Sequence, residues 1–397
     1  MELRDVVIVN AKRTPFGSFG GSLKDISNIE LGAIAINAAI DGSVPAEAID
    51  QLIYGVVEPG SGLSPVRQII CAAGWPIDTN ALCVERACCS GMSAMGLGFE
   101  RIRSGRADII VAGGCDNMSS TPYMLPQLRW GNRLGDFTVR DELVIRNPYL
   151  NAPMAQYAGE VGVEWGEGRE QQDEWALRSN LLAIEAQKKH LFDGEIVPVT
   201  VHQKKESFIL DHDEHPRADT SLQKLSKLKT VYGSPTVTGG NASALSDGAS
   251  AVLMMSADEA EKRNVKPLAR IVDWVSVCSE PRNSPLLPAI AIDKLLKTNS
   301  LSLDQMEVIE INEAFASMPL VSTRALCNND IEAARVLRQR LNVNGGAIAI
   351  GHPLGASGAR VAMAMMYETR RRKGRYGLAA ICGAIGQGDA LILEMLY

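Results

Sequence analysis

The 397 residues are 46% hydrophobic, enough for two or three domains, or one large fold, around a sizeable core. A net charge of −6 and the shortness of the one basic cluster, Arg370 to Arg375, argue against a nucleic-acid surface. The N-terminus is charged from the start and no run approaches ~18 consecutive apolar residues, which fits neither a signal peptide nor a membrane span and predicts a soluble cytoplasmic protein.

Taken in chain order, residues 33–54, AIAINAAIDGSVPAEAIDQLIY, predict a helix followed by the strand IYGVV. Residues 84–105, VERACCSGMSAMGLGFERIRSG, then carry two adjacent cysteines, Cys88 and Cys89. Neighbouring Cα atoms lie about 3.8 Å apart, whereas an ordinary disulfide spans about 5.5–6 Å, so the pair is not bonded to itself. A short apolar strand, ALCV, leads into it. The helix starting around Ser90 or Gly91 points its amide dipole back at both thiols. That is a nucleophile's position; two small core residues are the alternative. The strand ADIIVAGG and Cys115 follow. The eight cysteines show no C-x-x-C and no regular spacing, as expected of reduced and mostly buried thiols.

From about 120 to 243 the chain is more polar. GREQQDEWALRSNLLAIEAQKKH reads as an amphipathic helix and HQKKESFILDHDEHPRADTS as a charged loop. Within it, HDEH at 212–215 sets two histidines at i and i+3, and reads as surface rather than a metal site. The region is a large insertion, after which GASAVLMMS closes the first half.

Residues 289–307, AIAIDKLLKTNSLSLDQME, echo residues 33–54, and EVIEI follows as the equivalent strand. Asn312 comes next, in EINEAFA. His352 stands in NVNGGAIAIGHPLGASG ahead of a helix, and Cys382 follows the strand GLAAI. Each half therefore runs helix, strand, loop, buried helix, strand. Helices rich in Gly, Ala and Met on most faces are covered all round, and near-continuous apolar strands belong to sheets buried on both faces. Of the five histidines, only His352 has an apolar setting. It is either a base that activates a cysteine or a core histidine. If the halves correspond, Cys88, His352, Cys382 and Asn312 meet in one cleft.

These boxes resemble those of the thiolases. The family's C-x-S-G reads Cys88-Cys89-Ser90-Gly91, its NEAF stands at 312–315, its GGAIAxGHPxGxSG at 345–358, and an altered C-x-G-G-G-x-G at 382–388. GNAS at 240–243 matches the stretch that lines the coenzyme A tunnel. The resemblance runs from residue 5 to the C-terminus. It implies an α/β fold of two duplicated halves in five layers, α-β-α-β-α, with an inserted loop domain. The first half would take 1–119 and 244–265, the insertion over coenzyme A 120–243, and the second half 266–397.

The resemblance also implies roles. Cys88 would attack the thioester carbonyl and become acylated. His352 would activate Cys88 and help hold the thioester oxygen. Cys382 would move a proton to or from the α-carbon or the incoming thiol. Asn312 would hold a water that donates to the oxyanion. Backbone N–H groups of Cys88 and Ala384 would form a second oxyanion hole, such donors being worth about 3–4 kcal/mol each in rate. Ser243, Tyr232, Arg217, Met154 and Phe315 would contact coenzyme A or line the acyl pocket. Coenzyme A and acyl-CoA enter as substrates, with no permanently bound cofactor, no metal, no nucleic acid and no membrane. A homodimer or homotetramer is expected, or an assembly with a second, non-identical subunit.

Departures from the family pattern cluster at the acyl pocket. Ala384 and Ile385 replace glycines; a backbone donor survives Gly→Ala only if φ is negative. Pro153 stands where many relatives have His, and EPRNSPLLPA at 280–289 lacks a Met-Gly. The sequence thus predicts thiolysis of a 3-oxoacyl-CoA, or the reverse condensation, with a branched, aromatic or dicarboxylic acyl group rather than acetoacetyl-CoA. The rivals are an acetoacetyl-CoA thiolase, a decarboxylating ketoacyl synthase, and a non-catalytic acyl-CoA-binding subunit. Cys382 and NEAF stand where the synthase would use a second histidine, and the four retained polar residues argue against the subunit.

Overall fold

The computed structural model describes residues 3–58, 60, 62–203 and 206–397. Its first half comprises β1 (Val6–Arg13), α1 (Asn28–Ile40), β2 (Gln51–Gly55), β3 (Asn80–Val84), α2 (Ser90–Arg103) and β4 (Ile109–Asn117). A long excursion containing α3 (Arg169–Lys188) precedes β5 (Ser246–Ser256). The second half comprises β6 (Ala269–Cys278), α4 (Leu287–Thr298), β7 (Met306–Ile311), α5 (Leu354–Arg371), β8 (Tyr376–Gly383) and β9 (Gln387–Met395).

The two halves use one pairing scheme. β1 and β4 both pair antiparallel with β5, β4 runs parallel to β2, and β2 parallel to β3. In the second half β6 and β8 pair antiparallel with β9, and β8 runs parallel to β7. A parallel bridge from Ile309 to Leu341 stands where β3 stands in the first half. The sheets meet at β1 and β6 through two residue pairs, Val7 with Arg270 and Ile8 with Ala269.

Strand side chains alternate between faces, and that separates the cores. Val7, Leu52, Val111 and Leu253 pack with Leu31, Ile36 and Ala39 of α1. Ile309, Leu378 and Ile392 pack with Leu287, Ile292 and Leu295 of α4. Between the sheets, Met92, Met95 and Phe99 of α2 and Met363, Met365 and Met366 of α5 pack with Ile110, Met254, Ile381 and Leu391. The result is five layers, α-β-α-β-α. It also explains why β4, β5 and β8 read as continuous apolar runs, since each has a core on both faces, whereas β3 at the sheet edge is largely exposed.

The two central helices cross through glycine. A Cβ on Gly91 would lie 2.5 Å from the carbonyl oxygen of Gly355, and one on Gly358 would fall on the backbone N of Met92. Both contacts lie within the first two turns of each helix, so the crossing draws the two N-terminal ends together.

Two expectations for the insertion change. Part of the charged loop is a hairpin, Val199–His202 with Ser207–Leu210; Lys204 and Lys205 of that stretch lie outside the described residues. HDEH is also not a surface feature throughout. His212 is exposed, but Asp213 is buried against the guanidinium of Arg13, which it accepts at 2.6 and 2.9 Å. The Nε2 of His215 donates to Gly17 O at 3.1 Å and reaches Ser246 Oγ at 2.9 Å. No helix among the described residues is long and apolar enough to cross a membrane.

Candidate active site

Cys88 and His352 occupy equivalent places. Each lies two residues before a central helix, ahead of Ser90 in α2 and of Leu354 in α5. The glycine crossing therefore brings them to one cavity of about 520 Å³, which both line. Asp116, at the end of β4, fastens the arrangement. Its carboxylate accepts from the N–H groups of Val57 (3.0 Å), Glu58 (2.9 Å) and Gly355 (2.6 Å). One side chain thus ties the exit of β2 to the first turn of α5. Burial of Asp116 pushes its pKa up to about 7 despite these donors.

Asn312 follows β7, and its N–H donates to Ala380 O of β8 at 3.0 Å. Cys382 is the next-to-last residue of β8. Both are fully buried. The amide Nδ2 of Asn312 reaches His352 Nε2 at 3.3 Å. His352 Nδ1 lies 2.6 Å from Ser357 Oγ, which donates to Pro353 O at 2.7 Å. The His352 backbone N–H donates to Ser246 Oγ at 2.9 Å, the hydroxyl that His215 also reaches. Burial, with Arg360 adding to it, lowers the imidazole pKa to about 3, so His352 is neutral at physiological pH.

Burial also pushes the Cys88 thiol up to about 12, against the opposing effect of two N–H groups, its own and that of Ala384. Ala384 therefore points a donor at the Cys88 sulfur. Its φ is not among the positive values; the residue that takes the left-handed conformation is Ile385, at φ 60°. The Gly→Ala change keeps the donor because the strain falls one residue later. Burial raises the pKa of Cys382 as well, with the charge of Cys88 adding to the shift. Cys89 turns away from the cavity, its Sγ directed at Ile381 O at 3.6 Å.

The residues expected at coenzyme A divide. Ser243, Tyr232, Met154 and Phe315 line the same cavity as Cys88, with Leu143, Ile145 and Pro153. The segment 241–243 is held on the NEAF segment: Ser243 N donates to Ala314 O at 3.0 Å, Ala316 N to Asn241 O at 2.9 Å, and Ala242 bridges Phe315. Arg217 does not line the cavity; it is exposed, and its backbone N–H donates to Asn180.

Asp116, Ser357 and Arg360 escaped sequence reasoning. Arg360 had a signal, since an arginine within GASGARVAMAM, a helix expected to be covered all round, has to be buried. Asp116 had none, because its partner Gly355 lies 239 residues away.

The chain matches two family models, Thiolase, N-terminal domain over residues 6–258 and Thiolase, C-terminal domain over residues 265–395. It is 40% identical to an acetyl-CoA acetyltransferase of Syntrophomonas wolfei, across 99% of this chain and 100% of that protein. It is 41% identical to a beta-ketoadipyl-CoA thiolase of Acinetobacter baylyi, again across 99% and 100%. Among solved structures it resembles the acetyl-CoA acetyltransferase of Bacillus anthracis, with a TM-score of 0.95, 36% identity and full coverage of both chains.

Proposed function

The chain belongs to the thiolase family of acyltransferases, and on that premise we propose that it cleaves a 3-oxoacyl-CoA with coenzyme A, or runs the reverse condensation, through an acyl-Cys88 intermediate. The observation that carries the reading is the meeting of Cys88 and His352, each ahead of one of two equivalent central helices, in a cavity also lined by Ser243 and Phe315.

In cleavage, Cys88 attacks the 3-oxo carbon and gives its proton to His352 Nε2. The C2–C3 bond then breaks, the electron pair stays on C2, and Cys382 protonates that carbon as acetyl-CoA leaves. Coenzyme A next gives its thiol proton to Cys382 and attacks the acyl-Cys88 carbonyl; the C–Sγ bond to Cys88 breaks, and His352 returns its proton to the departing thiolate, which restores Cys88. In condensation the carbonyl attacked first is that of a thioester. His352 and Asn312 face one oxyanion, and the N–H groups of Cys88 and Ala384 the other. Arg217 would act only at the outer, nucleotide end of coenzyme A, and residues 120–243 would form the cover over it. Coenzyme A enters as a substrate, in a homo-oligomer.

The acyl group we propose is larger than that of acetoacetyl-CoA, and branched or aromatic. Leu143, Ile145, Pro153, Met154 and Leu354 give the cavity an apolar wall beside Cys88. A dicarboxylic chain has less support, because among the described residues no Lys or Arg lines the cavity and Asp141 does.

Intact-protein mass after incubation with a panel of 3-oxoacyl-CoAs, without free coenzyme A, tests the reading against Cys88→Ala. An adduct in the wild type alone names the nucleophile and the acyl group. No adduct from folded protein would leave an acyl-CoA-binding role instead.

A further inference from the structure

We propose that Arg360 is a positioning residue that sets the direction of the hydrogen bonds through Asn312 and His352; the inference rests on the reading of Cys88 and His352 given above. The guanidinium carries donors only. Its Nη2 donates to Asn312 Oδ1 at 3.1 Å, so the other end of the amide, Nδ2, faces His352 Nε2 at 3.3 Å. An amide nitrogen cannot accept, so Nε2 must. The ring proton then sits on Nδ1, which donates to Ser357 Oγ at 2.6 Å, and the hydroxyl donates to Pro353 O at 2.7 Å. Every donor in the line meets an acceptor. Turning the amide over would set Nδ2 against the guanidinium and Oδ1 against Nε2, and would move the ring proton to Nε2. A ring protonated there cannot take the proton of Cys88.

The way Arg360 is held supports this role. It is 1% exposed, and its Nε and Nη1 have no hydrogen-bond partner among the described residues. Its carboxylate neighbour, Glu310, stands 3.5 Å from Nη1. A buried guanidinium that serves packing alone is expected to spend its donors on several carbonyls or carboxylates. Here the hydrogen bond with full geometry goes to the residue that contacts His352.

The test compares wild type, Arg360→Lys and Arg360→Met in single-turnover acylation of Cys88, in the KM for coenzyme A, and in the nitrogen NMR signals of His352 in histidine-labelled protein. Wild type should show an acceptor-type Nε2 and a protonated Nδ1. Arg360→Met should acylate about 100-fold more slowly, within the usual range for a misplaced general base, with the KM for coenzyme A changed less than about threefold. Arg360→Lys, which keeps a donor-only head, should recover at least part of that rate. A folded Arg360→Met that acylates at the wild-type rate overturns the proposal. So does a wild-type spectrum with the proton on Nε2, a result that needs no variant to fold. Wild-type protein that no 3-oxoacyl-CoA acylates would instead overturn the proposed function, and the spectrum would still decide the tautomer.

Discussion

The indole N–H of Trp175 donates to the carboxylate of Glu313 at 2.9 Å. Trp175 belongs to α3 in the insertion, and Glu313 is the residue after Asn312. The same carboxylate accepts from Ser179 Oγ (2.7 Å), Asn342 Nδ2 (2.8 Å) and Ile348 N (3.2 Å). One buried group thus joins the insertion, the end of β7 and the turn that leads to His352. Glu313→Gln puts an amide N–H₂ against at least one of these donors. Each buried donor left unmet costs about 1–3 kcal/mol, so the variant should lose about 3 kcal/mol, read as a lower urea midpoint. A midpoint equal to wild type would show that the four donors find other partners.

Glu313 also marks what the sequence could and could not tell. NEAF was legible as a box, and the candidate residues stood out because their types are rare in apolar surroundings: one histidine, and a cysteine at the start of a small-residue helix. The duplication was legible because both halves obey the same burial pattern. The partners of buried charges were not. Asp213 looked like surface because its neighbours in sequence are charged, yet Arg13, 200 residues away, meets it in the interior. Hydrogen bonds of this kind follow from topology, and local pattern carries no trace of them. The positive φ of Ile385 was only half legible: two adjacent glycines of the family pattern are replaced, at Ala384 and Ile385, and the residue types do not say which of the two positions is left-handed.

Arg13 makes a two-pronged pair with Asp213 and a further bond to Glu195 at 2.8 Å, all buried. Removing the only partner of a buried charge costs about 3–5 kcal/mol. Arg13→Met, which leaves Asp213 and Glu195 without this cation, should destabilise by at least that amount; Asp213→Leu, which leaves Arg13 paired with Glu195, should cost less, and the double variant should lose less than the sum of the two. Strict additivity in denaturant unfolding would mean that the pair is not coupled. Asp213→Leu should also slow acylation, because it loosens the segment that carries His215 to Ser246 and so to the His352 backbone.

Ile385 has φ 60° and is 44% exposed, so burial does little to offset its strain. A side chain in the left-handed region costs roughly 1–2 kcal/mol. Glycine removes that cost, and the freer unfolded chain returns about 0.4–1 kcal/mol of it. Ile385→Gly should therefore stabilise the protein by about 1 kcal/mol. A loss of stability would show that the side chain is held by contacts which outweigh the strain, and a slower acylation would show that it fixes the Ala384 donor.

The paired shifts of Cys88 and His352 predict the resting state of the two groups. Burial raises the Cys88 thiol to about 12 and lowers the His352 imidazole to about 3. Between those values both groups are neutral, a thiol beside an imidazole and not a thiolate beside an imidazolium. The sign follows from the raised thiol: below its pKa, each unit of pH gained multiplies the thiolate about tenfold. Alkylation of Cys88 by iodoacetamide, without coenzyme A, should climb with a slope near one on a logarithmic scale from about pH 7 to pH 10. The charges of Asp116 and Glu58 push the thiol the same way as burial. Burial, with the charge of Asp116 adding to it, raises the pKa of Glu58 itself to about 7, so Glu58→Gln should speed alkylation from about pH 8 upward, where that carboxylate is charged, and by less near pH 7. A rate that levels off near neutrality would mean that the ion pair already exists at rest. The thiolate would then not be made only when a carbonyl arrives and the proton passes to His352, which is the order that the buried, neutral pair requires.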